Sequence, residues 1–274
     1  APNAFLATNY KLLFDETPVT FAITPVDAST FIIPDIAPFA YDGTAHTPTP
    51  AMTKADGVTT LTAGTDYTLS YAANTNAGTA TLTVTGINNF VGTQNKTFAI
   101  TPVALTVTPD ADQSKTYGEA EPTLTFTSAG AIGTETPAFT GALGRDAGTD
   151  VGDYAINAGT LALADNDPFL ATNYNLIFAT DPVVNFAITP KDAAELTIVD
   201  IAALTYNGAA QTPAPVVKDG ENVLAAGTDY TLSYANNTNA GTATVTVTGT
   251  GNYTGTKNKS FTITPITITV TPNA

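Results

Sequence analysis

Residues 227–265 read GTDYTLSYANNTNAGTATVTVTGTGNYTGTKNKSFTITP, and residues 64–102 repeat them closely. In the first segment Tyr230, Leu232 and Tyr234 alternate with Thr231 and Ser233. In the second, Ala243, Val245 and Val247 alternate with Thr242, Thr244, Thr246 and Thr248. A period of two places one set of side chains on a buried face and the other toward water, which defines a half-buried β-strand. Asn236-Asn237-Thr238-Asn239-Ala240-Gly241 joins the two as a hairpin loop, because Asn and Gly reach positive φ cheaply. A third segment buries Phe261 and Ile263 and stops at Thr264-Pro265, where proline lacks the N–H needed to continue a ladder.

The duplication extends over the whole chain. Phe5-Leu6-Ala7-Thr8-Asn9-Tyr10 returns as Phe169–Tyr174, and Phe21-Ala22-Ile23-Thr24-Pro25 as Phe186–Pro190. Thr65-Asp66-Tyr67 returns at Thr228, and Val107-Thr108-Pro109 at Val270, so the offsets run from 163 to 165 residues. That period is too long for a solenoid turn. Within it, Phe-x-Ile-Thr-Pro occurs at Phe21, Phe98, Phe186 and Phe261 and closes a module each time. Two module types alternate: a shorter one over 26–102 and 191–265, and a longer, complete one over 103–190. Residues 1–25 repeat the closing strands of the longer type, and residues 266–274 its opening strand.

The shorter module turns at Tyr41-Asp42-Gly43 or Tyr206-Asn207-Gly208 and then passes through a proline-rich connection. The longer module carries strand candidates at Lys115–Gly118, Pro122–Phe126, Gly152–Ile156 and Asn173–Phe178. No stretch keeps a helical period over three turns. The expected fold is all-β, as small Ig-like sandwich modules in a rod-like string, since each Thr-Pro runs almost directly into the next strand.

Function is bounded mainly by what is missing. Only 12% of residues are charged and the net charge is −15, which disfavours nucleic acid and anionic membrane surfaces. Without cysteine there is no disulfide, thiol nucleophile or thiolate metal site. One histidine, His46, and one arginine, Arg145, leave no converging acid–base set; His46 stands where the other short module has Gln211 and reads as a solvent-facing polar residue. Glu119 and Glu121 flank no apolar cleft that would raise a carboxyl pKa. The reading is therefore not an enzyme, with no catalytic, cofactor-binding or metal residues assigned. Asp110, Asp112, Asp165, Asp167, Asp27 and Asp192 gather near module junctions, where oxygen ligands would hold a structural calcium, but Asp is also an ordinary turn residue. The row Thr242–Thr248 reads as a soluble outer face, and the Asn-x-Ser/Thr matches at Asn95, Asn236, Asn252 and Asn258 as composition.

The longer module resembles the YG-type MBG domains found in tandem in large bacterial surface proteins. The matching residues are Tyr117-Gly118, Pro122, Leu124, Gly141, Gly152, Tyr154, Ile156, Gly159, Asn173-Tyr174, Leu176 and Phe178, with a departure at Gly133-Thr134 where Gly-Asp is usual. The shorter module resembles another repeat of such proteins, marked by Gly-Thr-Asp-Tyr-Thr, Asn-Ala-Gly-Thr-Ala and Gly-Asn-Tyr-Thr-Gly; residues 64–92 end the last motif as Asn89-Phe90-Val91-Gly92. The resemblance implies an extracellular stalk or filament segment whose partners are neighbouring repeats of the same array. Its important residues would be core positions such as Tyr67, Leu69, Val84, Phe98 and Ile100, together with the junction prolines. A carbohydrate-binding module of an adhesin is the alternative. The incomplete modules at 1–25 and 266–274 lead us to expect a longer array, by continued polypeptide or by strand donation.

Overall fold

The computed structural model describes residues 11–13, 18 and 20–271. The chain divides into two compact units, Ala1–Thr101 and Pro102–Ala274. It is all-β: among the described residues the helical segments are three-residue 3-10 turns at Ala28–Thr30, Ala171–Asn173 and Ala193–Glu195.

In the first unit the strands are β1 (Val26–Asp27), β2 (Phe39–Ala40), β3 (Tyr67–Ala72), β4 (Gly78–Gly86), β5 (Phe90–Val91) and β6 (Thr93–Thr101). The main sheet runs β2-β6-β4-β3, and β1 pairs separately with β5. β4 shows why this sequence becomes a central strand. Ala80, Leu82 and Val84 are fully buried on one face, the threonines between them face outward, and β3 and β6 flank it antiparallel. Phe98 and Ile100 of β6 extend the same buried face. Each such side chain stabilises the fold by about 1.5–3 kcal/mol relative to exposure. β2 joins β6 in parallel, with Phe39 opposite Ile100.

The second unit holds two modules. The first comprises β7 (Val103–Pro109), β8 (Ser114–Thr116), β9 (Phe126–Ala129), β10 (Ala138–Thr140), β11 (Gly144–Arg145), β12 (Gly152–Asn157), β13 (Ala162–Ala164), β14 (Tyr174–Phe178) and β15 (Asn185–Thr189). They form sheets β14-β7-β9, β11-β12-β15-β8 and β10-β13. The opening strand β7 pairs in parallel with β14, and the closing strand β15 in parallel with β8. Val107, Leu143, Ile156, Phe186 and Ile188 form the core.

The second module comprises β16 (Lys191–Asp192), β17 (Thr197–Ile198), β18 (Leu204–Thr205), β19 (Val217–Asp219), β20 (Asn222–Val223), β21 (Tyr230–Ala235), β22 (Gly241–Gly249), β23 (Tyr253–Thr254) and β24 (Thr256–Thr264). Its main sheet, β18-β24-β22-β21, reproduces the order of the first unit, and Leu204 stands opposite Ile263 as Phe39 does opposite Ile100. The hairpin between β21 and β22 falls where the Asn-rich loop places it, with Asn236 at φ 57° and Gly241 at φ 138°. Gly249 ends β22 because a Cβ there would lie 2.7 Å from the Thr254 nitrogen; Gly86 is held by the same close approach, 2.9 Å from Val91 N.

One expected strand needs correction. The strand expected over Pro122–Phe126 begins only at Phe126, because Thr125 N–H donates to the Gln113 side chain at 2.7 Å instead of to a ladder. β10, β11 and β13 are two or three residues long, too short for a visible alternation. No strand forms over Thr20–Ile23, and Phe21 and Ile23 are 86% and 89% exposed, while their copies Phe186 and Ile188 are 0% and 2%. Of the strand expected at Tyr10–Phe14, Lys11, Leu12 and Leu13 are exposed and in no strand; Tyr10 and Phe14 lie outside the described residues.

Candidate functional site

Within the second unit one residue, Pro190, separates β15 from β16. β16 pairs at once with β23, Lys191 opposite Tyr253, and Lys191 N–H donates to the Asn252 carbonyl at 3.0 Å. The chain leaving one module is thereby fastened to the strand that presents Asn252-Tyr253 back toward that module.

Both halves of the Asn252 amide are used. Its Oδ1 accepts from Val151 N–H at 2.8 Å, and its Nδ2 donates to Asp150 Oδ1 at 2.9 Å. Tyr117 supplies the apolar part. Its N–H donates to the Thr189 carbonyl at 2.8 Å, and its ring meets that of Tyr253 edge-on, centroids 5.5 Å apart. The Tyr117 side chain packs against the cores of both modules. Gly118, at φ 84°, makes the turn that leaves Tyr117 there. Edge-to-face aromatic pairs contribute about 0.5–1.5 kcal/mol beyond their buried area.

Lys191 Nζ and Asp219 Oδ1 form an ion pair at 2.5 Å beside this contact, and Tyr253 Oη donates to Asp219 Oδ2 at 3.3 Å. Burial, with the Asp219 carboxylate and Tyr117 adding to it, pushes the Tyr253 phenol well above its ordinary pKa, so it stays a neutral donor. The arrangement fixes orientation: an amide clamp, an aromatic contact and a paired charge surround a one-residue link.

A second polar cluster lies inside the first module of this unit. Arg145 lies over the rings of Tyr154 (4.8 Å) and Phe186 (5.3 Å), and Nη1 donates to the carbonyls of Asp146 and Gly148. Glu121 takes Arg145 on one side and Lys115, at 2.8 Å, on the other. These two hydrogen-bonded cations lower the Glu121 carboxyl to about 2. Gly148 is required, since a Cβ there would fall 1.9 Å from the Tyr154 ring. The guanidinium thus ties the 146–148 loop to the core, at the edge of a 350 Å³ groove.

The expected core residues Tyr67, Val84, Phe98 and Ile100 are buried, and Leu69 is half-buried. His46 is corrected: its ring stacks on Phe39 at 4.6 Å and its side chain is 10% exposed, with Nε2 3.5 Å from Asp42. A flat ring finds a flat partner here, whereas in the other copy Gln211 Nε2 donates to the Thr205 carbonyl at 3.4 Å. Asp27 and Asp192 cap the 3-10 turns, accepting from Ser29 and Ala194 N–H, and Asp165 accepts from Ala171 N–H. No group of three or more potential metal-binding side chains occurs among the described residues. Glu119 accepts from Thr116 N–H at 3.0 Å. The threonines of β22 face outward, with Thr246 donating to Asn258 at 2.7 Å, while Tyr230 is core and Tyr234 donates to the Pro213 carbonyl.

Sequence reasoning had Tyr117-Gly118 and Asn252-Tyr253 as repeat hallmarks but did not pair them. Both hallmarks set a tyrosine within two residues of a glycine, Tyr117 before Gly118 and Tyr253 between Gly251 and Gly255. Residues 105–182 match the family model of the MBG domain of the YGX type, inside the longer module expected at 103–190. No curated protein matches the chain.

Proposed function

We propose that the chain is a structural segment of a bacterial extracellular surface protein, a spacer whose modules are joined stiffly to hold other domains at a distance. The observation that supports it most is the junction at Pro190. Two hydrogen bonds from one amide, an aromatic contact and an ion pair surround a link of one residue. A ligand-binding module would gain nothing from this, whereas a spacer depends on it. The MBG match over 105–182 agrees with a repeat of surface proteins.

Backbone NMR relaxation on the full chain tests the reading. The modules 103–190 and 191–265 are expected to share one rotational diffusion tensor, and Asn252→Ala to loosen it. Independent tumbling of the two in the unaltered chain, or saturable binding on a glycan array with the junction intact, would replace the spacer with an adhesive module.

A further inference from the structure

Resting on that reading, we infer that the face of the first unit formed by Val26, Lys54, Asp66, Asn88, Asn89 and Phe90 is a seat for a YG-type module, entered through the Thr24-Pro25 link. Together with residues 23–25 these side chains line a concavity of 680 Å³. The seat matches, position for position, the surface that grips Tyr117 and the 150–151 loop in the second unit. Phe90 stands for Tyr253, Asn89 for Asn252, Lys54 for Asp219 and Val26 for Lys191.

The backbone frame is the same in both. β1 pairs with β5 in parallel, Val26 opposite Phe90, and Val26 N–H donates to the Asn89 carbonyl at 3.0 Å. Lys191 makes the equivalent bond to Asn252 at the same distance. Asn89 is therefore held as Asn252 is, yet it is exposed and its side chain has no partner among the described residues. Its amide is free to accept from a loop N–H and donate to a carboxylate, as Asn252 does for Val151 and Asp150.

The occupant is named by the strand that leads into the seat. Phe21-Ala22-Ile23-Thr24-Pro25 repeats the closing strand Phe186–Pro190 of the YG-type module. Phe21 and Ile23 are almost wholly exposed, while Phe186 and Ile188 are core residues. A strand whose apolar face fits one kind of core runs straight into a surface that fits the outside of the same kind of module. The exchange of Asp219 for Lys54 and of Lys191 for Val26 removes the ion pair, and the Phe90 ring is already buried edge-on against Phe31 with Lys54 5.6 Å over it, so this seat relies on the exposed Asn89 amide.

The test splices a copy of residues 103–189 in place of 1–24, ahead of Pro25, in the otherwise intact chain. Because the sequence has no cysteine, pairs can be placed where side chains meet: Asp150→Cys in the added copy with Asn89→Cys, and Asp150→Cys with Asn252→Cys at the existing junction as reference. Both pairs are expected to oxidise to disulfides at comparable rates. Closure of the reference pair alone overturns the seat. Failure of both overturns the junction reading and the seat with it. If a cysteine variant does not fold, amide exchange on the cysteine-free spliced chain gives the same decision. The added Val151 N–H should exchange roughly tenfold slower with Asn89 than with Asn89→Ala, the loss expected for one hydrogen bond. Equal rates would overturn the proposal.

Discussion

The two short modules share their sheet order and register, and differ where they meet something else. Ala80, Leu82, Val84, Phe98 and Ile100 of one are Ala243, Val245, Val247, Phe261 and Ile263 of the other, all buried and all opposite equivalent partners. Around the 3-10 turn the chemistry changes but the task does not. Lys257 Nζ donates to the carbonyls of Ala194 and Leu196, and Gln94, with its amide oriented to donate, serves Ala28 and Phe31 at 2.8 and 3.0 Å. At the seat even the charges reverse, Lys54 for Asp219. The comparison separates two kinds of constraint: the core fixes apolar shape at period two, and a turn's carbonyls require a donor of any kind.

The largest expected effect tests the sameness of the cores. Phe98→Ala and Phe261→Ala should each cost about 3–5 kcal/mol in chemical denaturation. A difference between them beyond about 1 kcal/mol would mean that the shared register hides unequal packing. The same change at Phe21 should cost almost nothing, unlike Phe186→Ala.

The turn donors come next. Lys257→Ala should cost about 1.5–3 kcal/mol, as a charged donor to two carbonyls, and Gln94→Ala about 0.5–1.5. Lys257→Gln should recover most of the loss. If it does not, the ammonium acts through its charge and the two modules are less alike than their geometry.

Smaller still is the effect of the seat's own difference. Tyr253→Phe makes the second module resemble the first and should cost about 1 kcal/mol. It should also change the alkaline limb. Because the folded phenol is raised above the ordinary tyrosine value of 10.0, its stabilisation is complete below pH 10 and is lost as pH climbs above it, where the unfolded chain ionises first. Part of that decline should vanish in Tyr253→Phe, read as melting temperature against pH; an unchanged alkaline slope would mean that Tyr253 ionises alike in both states.

The smallest belongs to Glu121, a half-exposed carboxylate with no counterpart in the short modules. Its pKa is depressed from 4.5 to about 2, so its contribution is present above pH 4.5 and fades as pH falls toward 2. Glu121→Gln should flatten the acid limb slightly, and Arg145→Lys less. An acid limb identical to that of the unaltered chain would show the pair to be fully screened.

Long strands were legible because alternation over six or nine residues, as in β3, β4, β21 and β22, admits one reading. Two-residue strands such as β11 carry no period, and their pairing is decided by neighbours far along the chain. The junction was legible only in pieces. Tyr117 and Tyr253 are 136 positions apart, and nothing local to either names the other. His46 was misread for a related reason: an imidazole beside Asp42 looks polar in sequence, and only the fold brings Phe39 beneath it.

The parallel pairing of terminal strands has a mechanical consequence. In each module a strand near the entry lies parallel to one near the exit: β2 with β6, β8 with β15, β18 with β24. Tension applied along the chain pulls such partners in opposite directions along their own axes. Their hydrogen bonds are then loaded together in shear, not peeled open one at a time as when a hairpin is drawn apart from its free ends. Rupture requires the bonds of these two- or three-residue pairs to fail together, which raises the barrier to forced unfolding, the quantity that governs survival under load. The modules are thus strongest along the direction in which a tether is pulled.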